Sequence, residues 1–182
     1  IGNSVSVQFT PPAQGAAITV TATITDAAGN VSPSATDSAV RDTTATLAPG
    51  VLITDDANND GKINAAELSL VSANVDVLVT VPVGAVVGDV LAVTDGTTTT
   101  NFVLTAPQIA AGSVTTSFTP PASGTSITVS ATLTDAAGNT SPTGTDSALR
   151  DTTATAAPVV TITEDADNDG TLSATELSGN VD

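Results

Sequence analysis

Oxygen-bearing side chains recur at alternate positions in the twelve-residue segment DANNDGKINAAE, residues 56–67. The segment fits the pattern D-x-[DN]-x-[DN]-G-x5-E, which places carboxylate, amide and carbonyl oxygens around one bound Ca²⁺. The expected ligands are Asp56, Asn58 and Asp60, the backbone carbonyl of Lys62, Asn64 through a water molecule, and both carboxylate oxygens of Glu67. Magnesium is the weaker alternative, because it binds few protein ligands and keeps several of its water molecules.

The same pattern returns as DADNDGTLSATE, residues 165–176, and the two copies differ in an informative way. Position 7 changes from Lys62 to Thr171, as a ligand that acts through its backbone carbonyl allows. Position 8 is apolar in both copies, Ile63 and Leu172, and is expected to anchor the loop to the core. The second set of expected ligands is Asp165, Asp167, Asp169, Thr171, Ser173 and Glu176. A solvated acidic loop is the alternative, but a complete match that occurs twice in register favours calcium.

Composition removes most other chemistry from consideration. The 182 residues include 19 acidic and 3 basic side chains, a net charge of −16, and neither Cys nor His. Thiolate nucleophiles, imidazole acid–base pairs and soft-metal sites are therefore excluded. Scarce Lys and Arg disfavour nucleic acid as a partner, and the negative charge repels anionic membrane surfaces. Oxygen ligands for hard cations remain, and we expect no enzyme activity.

Internal repetition organises the chain. Residues 4–69 and 113–178 align at an offset of 109 residues with 45 identities in 66 positions. The predicted division is the back part of one repeat at 1–41, a linker at 42–45, a complete repeat at 46–150, a linker at 151–155, and the front of a following repeat at 156–182. The neighbouring repeats of the same chain are therefore the expected partners of the complete one.

Strands alternate through the complete repeat, so we predict an all-β fold. The predicted strands are Val51–Thr54, 75–81, Asp89–Thr94, Thr98–Leu104, Val114–Phe118, 127–133 and Ala148–Leu149. Seven short strands in about a hundred residues are typical of an immunoglobulin-like β-sandwich. The EF-hand-like loop lies between the first two strands and is followed by one helical turn. The usual buried Trp and disulfide of that fold are missing, so Val, Ile, Leu, Ala and two Phe must form the core.

A second set of acids lies near the joints between repeats. In a sandwich of this order, Asp135 and Asp89 are expected at the end that faces the incoming linker, which carries Asp42. Because like charges in a partly dry joint are costly, we predict an interdomain calcium held by Asp42 and Asp135, with Asp89 as a further candidate ligand. Asp151 and Asp26 occupy the equivalent positions of the neighbouring joints. The alternative is that Asp135 only caps a turn.

Four further charged residues carry simpler expectations. Asp37 and Asp146 are predicted to be solvated loop acids, and Arg41 and Arg150 are predicted to pair with nearby carboxylates. Exposed ion pairs of this kind contribute little stability.

The segments TDAAGNTSPTGTDSALRDTTAT and DADNDGTLSATEL, with the period of about a hundred residues, resemble the tandem bacterial immunoglobulin-like repeats of giant calcium-dependent RTX adhesins. The resemblance covers essentially the whole chain and is strongest to the extender regions of ice-binding and biofilm adhesins. It implies type I secretion, a location outside the cell at the bacterial surface, and repeats that project a distal ligand-binding domain.

Three functions from different classes fit these observations to different degrees. The leading hypothesis is a calcium-stabilised spacer without a further ligand. An adhesive module that binds a glycan or a protein is the second, although three Phe leave little for the aromatic platform that sugars favour. A hydrolase with paired carboxylates is the third, and the calcium spacing already accounts for the acid clusters.

Overall fold

Alternating apolar and polar residues form strands throughout the part of the chain that the structure describes, a computed structural model of residues 4–69 and 73–178. The strands are β1 (Ala17–Ala22), β2 (Ala35–Val40), β3 (Gly50–Ile53), β4 (Lys62–Ile63), β5 (Val75–Thr80), β6 (Val90–Thr94), β7 (Thr99–Val103), β8 (Ser113–Phe118), β9 (Thr125–Thr134) and β10 (Gly144–Arg150). The helices are α1 (Ala65–Ser69) and α2 (Ala106–Ala111), with a 3₁₀ turn at Glu176–Ser178. The predicted repeats also include residues 1–3, 70–72 and 179–182, which lie outside the described residues.

Strands β3 to β10 form two sheets. One has the order β4-β10-β9-β6-β7 and the other the order β3-β5-β8, while β1 and β2 form a separate hairpin. The pairs are antiparallel with one exception: β4 runs parallel to β10, with Lys62 beside Leu149 and Ile63 beside Arg150. A parallel pair needs a long connection between its strands, and here most of the predicted repeat supplies it.

The core lies between the two sheets and is built mainly from alternate residues of their strands. Val75, Val77 and Val79 of β5 are at most 1 % exposed, and they alternate with half-buried Asp76 and Leu78. The facing sheet contributes Leu91, Val93, Ile127, Val129, Ala131 and Leu133. Phe118 is buried and Phe102 packs against the cluster from its edge. The all-β prediction is confirmed, and the thin aliphatic core follows from the pleat.

Strand β3 crosses the inner face of β10 at unusually close range. A Cβ atom on Gly144 would overlap the backbone oxygen of buried Pro49, so only glycine fits there. Two residues further along β10, Asp146 accepts a hydrogen bond from the Ile53 N–H at 2.8 Å. The prediction of a solvated loop acid is therefore wrong for Asp146, which lies within a strand and connects the two sheets.

Helix α2 is an element that the strand pattern did not predict. The Thr105 N–H and hydroxyl both donate to Gln108 Oε1, at 2.9 and 2.8 Å, and Gly112 ends the helix with φ 68°. The signal is present in the sequence, because Thr105-Ala106-Pro107-Gln108 is a capping box with Pro in the first turn. Strand β10 also begins earlier than predicted, at Gly144.

The chain divides into two compact units, Ile1–Thr152 and Thr153–Asp182. In the first, Phe9 is 54 % exposed, whereas its repeat counterpart Phe118 is 4 % exposed within the two-sheet structure. In the second, Val159 and Val160 are likewise exposed. Among the described residues, no helix is long and apolar enough to cross a membrane.

Substituting Gly144 tests the close crossing of β3 and β10. Gly144→Ala should destabilise the chain by about 3 kcal/mol, because the Pro49 backbone has to move for the new methyl group. Thr145→Ala, an exposed change in the same strand, should cost less than about 1 kcal/mol. Urea unfolding measures both; equal losses for the two variants would contradict the crossing.

Candidate metal centre

The loop of residues 56–67 is a tight turn closed by its own acidic side chains. Asp56 accepts hydrogen bonds from the N–H groups of Asp60 and Gly61, at 2.9 and 2.8 Å. Asp60 accepts from Lys62 N–H at 2.9 Å, and Glu67 accepts from Asn64 N–H at 3.0 Å. Asn59 and Gly61 adopt the left-handed conformation, with φ of 55° and 80°. These hydrogen bonds close the loop and hold the carboxylates of Asp56, Asp60 and Glu67 against its own backbone.

Buried side chains and backbone hydrogen bonds to the end of β10 hold the loop against the sandwich. Ile63 is fully buried, as predicted for an apolar anchor, and Asp56 is 5 % exposed. Gly61 O accepts a hydrogen bond from Leu149 N–H at 2.8 Å, and Ile63 O accepts from Asp151 N–H at 3.0 Å. Because successive carbonyls of a strand point to opposite sides, the Lys62 carbonyl between them points away from β10. This orientation fits the role predicted for position 7.

The second loop repeats the turn at the start of the first loop. Asp165 accepts from Asp169 N–H and Gly170 N–H at 2.9 and 3.0 Å, and Asn168 has φ 55°. The carboxylate oxygens of Asp165, Asp167 and Asp169 lie within 4.8 Å of one another. A hydrogen bond from the Thr171 hydroxyl lowers the pKa of Asp169, and the Ser173 N–H lowers the pKa of Glu176. The two copies of the motif therefore share the same turn and the same backbone hydrogen bonds to their first Asp.

Two acids beside the first loop were not among the predicted ligands. Asp55 is 3 % exposed and accepts a hydrogen bond from Asp76 N–H at 2.6 Å. Burial raises the pKa of Asp55, and the negative charges of Asp76 and Glu67 raise it further, against the effect of the Asp76 N–H. The Asp-Asp pair at 55–56 is the sequence signal for this charge density. A cation in the loop relieves such repulsion, and the all-oxygen donor set fits a hard cation.

Among the acids predicted for the interdomain sites, Asp135 and Asp26 each lie in a turn. Asp135 accepts from Ala137 N–H and from the backbone and side-chain N–H of Asn139, at 2.8 to 2.9 Å. Asp26 accepts the equivalent bonds from Ala28 and Asn30. Hydrogen bonds from the Asn139 and Asn30 side chains are the largest effects that lower the pKa of Asp135 and of Asp26. Both residues therefore do cap turns, the alternative considered for Asp135.

The linker approaches this end of the sandwich through its backbone. Asn139 Nδ2 donates to the Asp42 carbonyl oxygen at 3.5 Å, whereas the Asp42 carboxylate accepts from Gln14 Nε2 at 2.8 Å. Asp151 N–H binds the first loop at the Ile63 carbonyl. Within residues 4–69 and 73–178, the carboxylates of Asp42, Asp89 and Asp135 do not form a compact acidic group like that of the second loop. The interdomain calcium stays a prediction.

Asp89 is the buried member of that set. It is 1 % exposed, and Oδ2 accepts from Val86 N–H at 2.9 Å. Oδ1 is buried without a hydrogen-bond partner in the described part of the chain. The pairing of Val90 with Thr134 brings Asp89 and Asp135 to the same end of the β6–β9 pair. An unpartnered buried carboxylate oxygen costs free energy that a bound cation could recover.

Comparison with known proteins gives one result. A family model described as EF hand matches residues 56–72, which include the whole predicted loop. No curated protein matches the chain. The match fits a calcium-binding repeat and, together with the acidic group of the second loop, is compatible with calcium as the ligand.

The Asp135 turn predicts a specific pH response in the calcium-free chain. The pKa of Asp135 is lowered in the folded state, so its stabilising effect is present above the ordinary value of 3.8 and is lost as the pH falls through the folded value. Asn139→Ala should raise this pKa, as followed by NMR of the carboxyl carbon. Asn30→Ala should raise the pKa of Asp26 and leave Asp135 unchanged. An unchanged pKa of Asp135 in the Asn139→Ala variant would contradict the role assigned to the Asn139 side chain.

Proposed function

We propose that the chain is a calcium-stabilised structural repeat whose function is mechanical: it holds the segments on its two sides apart. The hydrogen bonds from Leu149 and Asp151 to Gly61 and Ile63 carry this proposal, because they join the metal-ligand loop to the last strand of the sandwich. A loop joined in this way is part of the framework. Its ion is then a structural element of the repeat.

Charge explains why the framework needs an ion. The chain carries a net charge of −16, and Asp55, Asp56, Asp60, Glu67 and Asp76 crowd one end of the sandwich. Calcium supplies two positive charges to this region and satisfies oxygen ligands that otherwise repel one another. With neither a disulfide nor a large aromatic core, the chain has few other ways to gain stability.

The strand order supports an immunoglobulin-like sandwich as the finer description of the fold. Strands β3, β5 and β8 form one sheet, while β10, β9, β6 and β7 form most of the other, an arrangement typical of seven-stranded domains of this class. The loop then connects the first two strands of the sandwich. We propose tandem repeats of this kind, joined at residues 42–45 and 151–155.

The resemblance to RTX adhesin extenders provides the biological setting of the proposal. We propose a secreted protein of the bacterial surface, in which repeats of this type project an adhesive domain and carry no catalytic activity of their own. The neighbouring repeats are the proposed partners. A surface groove of about 350 Å³ lined by Thr54, Asp76, Leu78 and Thr115 contains no aromatic side chain, so it offers little to the alternative function of glycan binding.

The acids at the incoming linker extend the proposal to the joint. Buried Asp89, with its unpartnered Oδ1, and Asp135 at the same end of the sheet support a second calcium near Asp42. Asp26 and Asp151 are the corresponding residues of the neighbouring joints. An ion bound by residues from both sides of a linker restricts the angle between repeats.

Removing one ligand tests the loop. Calcium at a hundred times its dissociation constant should raise the melting temperature of the chain by about 10 °C, since binding of that strength stabilises by about 2.7 kcal/mol. Glu67→Gln should lose most of this gain, because it removes the charge of the bidentate ligand but keeps an oxygen for Asn64 N–H. Differential scanning calorimetry with calcium and with chelator measures both.

Asp95→Asn is the matched control, since it removes one charge from the β6–β7 hairpin and keeps the oxygen that accepts from Thr97 and Thr98. It should retain the full calcium-dependent gain. A melting temperature that does not respond to calcium in the unmodified chain would refute the structural role of the ion.

A polypeptide of several whole repeats tests the mechanical function. Strand β9 has ten residues and so spans about 34 Å, which gives roughly 40 Å per repeat with the linker. In small-angle X-ray scattering, the maximum dimension should grow by that amount per repeat with calcium and should fall with chelator. Asp42→Ala should reduce the dimension without changing the melting of each repeat. Equal dimensions in both conditions would leave only a passive tether.

A further inference from the structure

The last residues of β10 and the start of the following linker, Leu149–Thr152, are held from two sides; we call them the exit segment. On one side are the loop bonds to Gly61 O and Ile63 O, at 2.8 and 3.0 Å. On the other side lies the connection between β8 and β9. There Gly124 N–H donates to the Arg150 carbonyl at 2.7 Å, and Thr152 N–H donates to Ser123 Oγ at 3.1 Å.

Arg150 strengthens the side formed by the β8–β9 connection. Its Nη1 donates to the Pro121 carbonyl at 2.6 Å, and the equivalent Arg41 donates to Pro12 at 3.0 Å. The hydrogen bonds that the structure describes for these guanidinium groups thus go to proline carbonyls, and the prediction of carboxylate partners is not supported. Each arginine fastens the end of a strand to a turn.

The proline-turn side recurs at the end of β2. Gly15 N–H donates to Arg41 O at 2.8 Å and Thr43 N–H donates to Gln14 Oε1 at 3.0 Å, at the positions equivalent to the Gly124 and Thr152 bonds at the end of β10. The bonds to Gly61 O and Ile63 O are a separate attachment of the exit segment.

The loop side depends on the same residues that are proposed to hold the ion. Gly61 and Ile63, which accept the exit-segment bonds, flank Lys62, whose carbonyl points away from β10 and is a predicted ligand. An ordered loop fixes all three carbonyls together, because they are consecutive. Repulsion among Asp56, Asp60 and Glu67 in the ion-free loop acts on the same three residues.

We propose that binding of calcium to the loop directly tightens the exit segment, so that the ion within a repeat controls the stiffness of the joint that comes after it. This inference rests on the proposed calcium-binding function and adds a regulatory role to the same site. The stiffness of the joints then depends on two sites in each repeat: the acids at the incoming linker and the loop beside the outgoing linker. The loop acts through β4 and needs no ligand from the next repeat.

Residue-level amide exchange, measured by NMR on the whole chain with calcium and with chelator, tests the coupling. The amides of Leu149 and Asp151 should exchange at least about ten-fold more slowly with calcium, since their acceptors become fixed. Val81 reports on global stability, because its N–H donates to Gly112 O at 2.9 Å, away from the loop and from the exit segment. Its change should be smaller.

Glu67→Gln should abolish the extra slowing at Leu149 and Asp151, whereas Asp95→Asn should preserve it. The chemical shift of the Gly61 amide reports separately on ion binding, because its N–H donates to the ligand Asp56.

The outcomes separate the two proposals. A Gly61 shift with equal slowing at Leu149, Asp151 and Val81 means that calcium acts only through global stability; the coupling is then wrong and the calcium site stands. No Gly61 shift refutes both. Slowing confined to the exit segment, and lost in Glu67→Gln, establishes the coupling.

Discussion

Two residues of parallel pairing, Lys62–Ile63 beside Leu149–Arg150, connect the acidic loop to the rest of the molecule. The turn at the start of the loop recurs in residues 165–176 with the same hydrogen bonds to the first Asp. What the pairing adds is position: it fixes the Lys62 carbonyl, buries Ile63 in the core and brings the loop to the end of β10. The candidate metal centre and the exit segment both depend on this short pair.

The chain buries negative charge at both ends of its sandwich. Asp55 and Asp56 are buried at the edge of an aliphatic core, and Asp89 is buried at the opposite end of the sandwich. Burying carboxylates without basic partners is costly, and the sequence offers 3 basic side chains for 19 acidic ones. Two of those bases, Arg41 and Arg150, bind proline carbonyls. A bound cation would compensate this excess of negative charge, which is the physical basis of the proposed calcium site.

Patterns that are local in sequence predicted most of the strands and the metal loop. Alternation at 75–81 and 127–133 gave the correct faces of β5 and β9, and the ligand spacing of residues 56–67 needed no tertiary information. Helix α2 was equally local, since its capping box at Thr105 and Gln108 is visible in the sequence. Features that depend on contacts between residues distant in sequence could not be predicted from local patterns. The bond from Ile53 to Asp146 and the contact of Gly144 with Pro49 join residues more than ninety positions apart.

The parallel pair also has a consequence for the order of folding. Lys62 and Leu149 lie 87 residues apart, so the pair closes one of the largest loops within the predicted repeat. Contacts of such separation form late and slow the folding of a domain. During synthesis from the amino terminus, the acidic loop emerges long before the strand that secures it. Each repeat therefore passes through a stage in which its first strands exist and its last attachment does not, and only the arrival of β10 completes it.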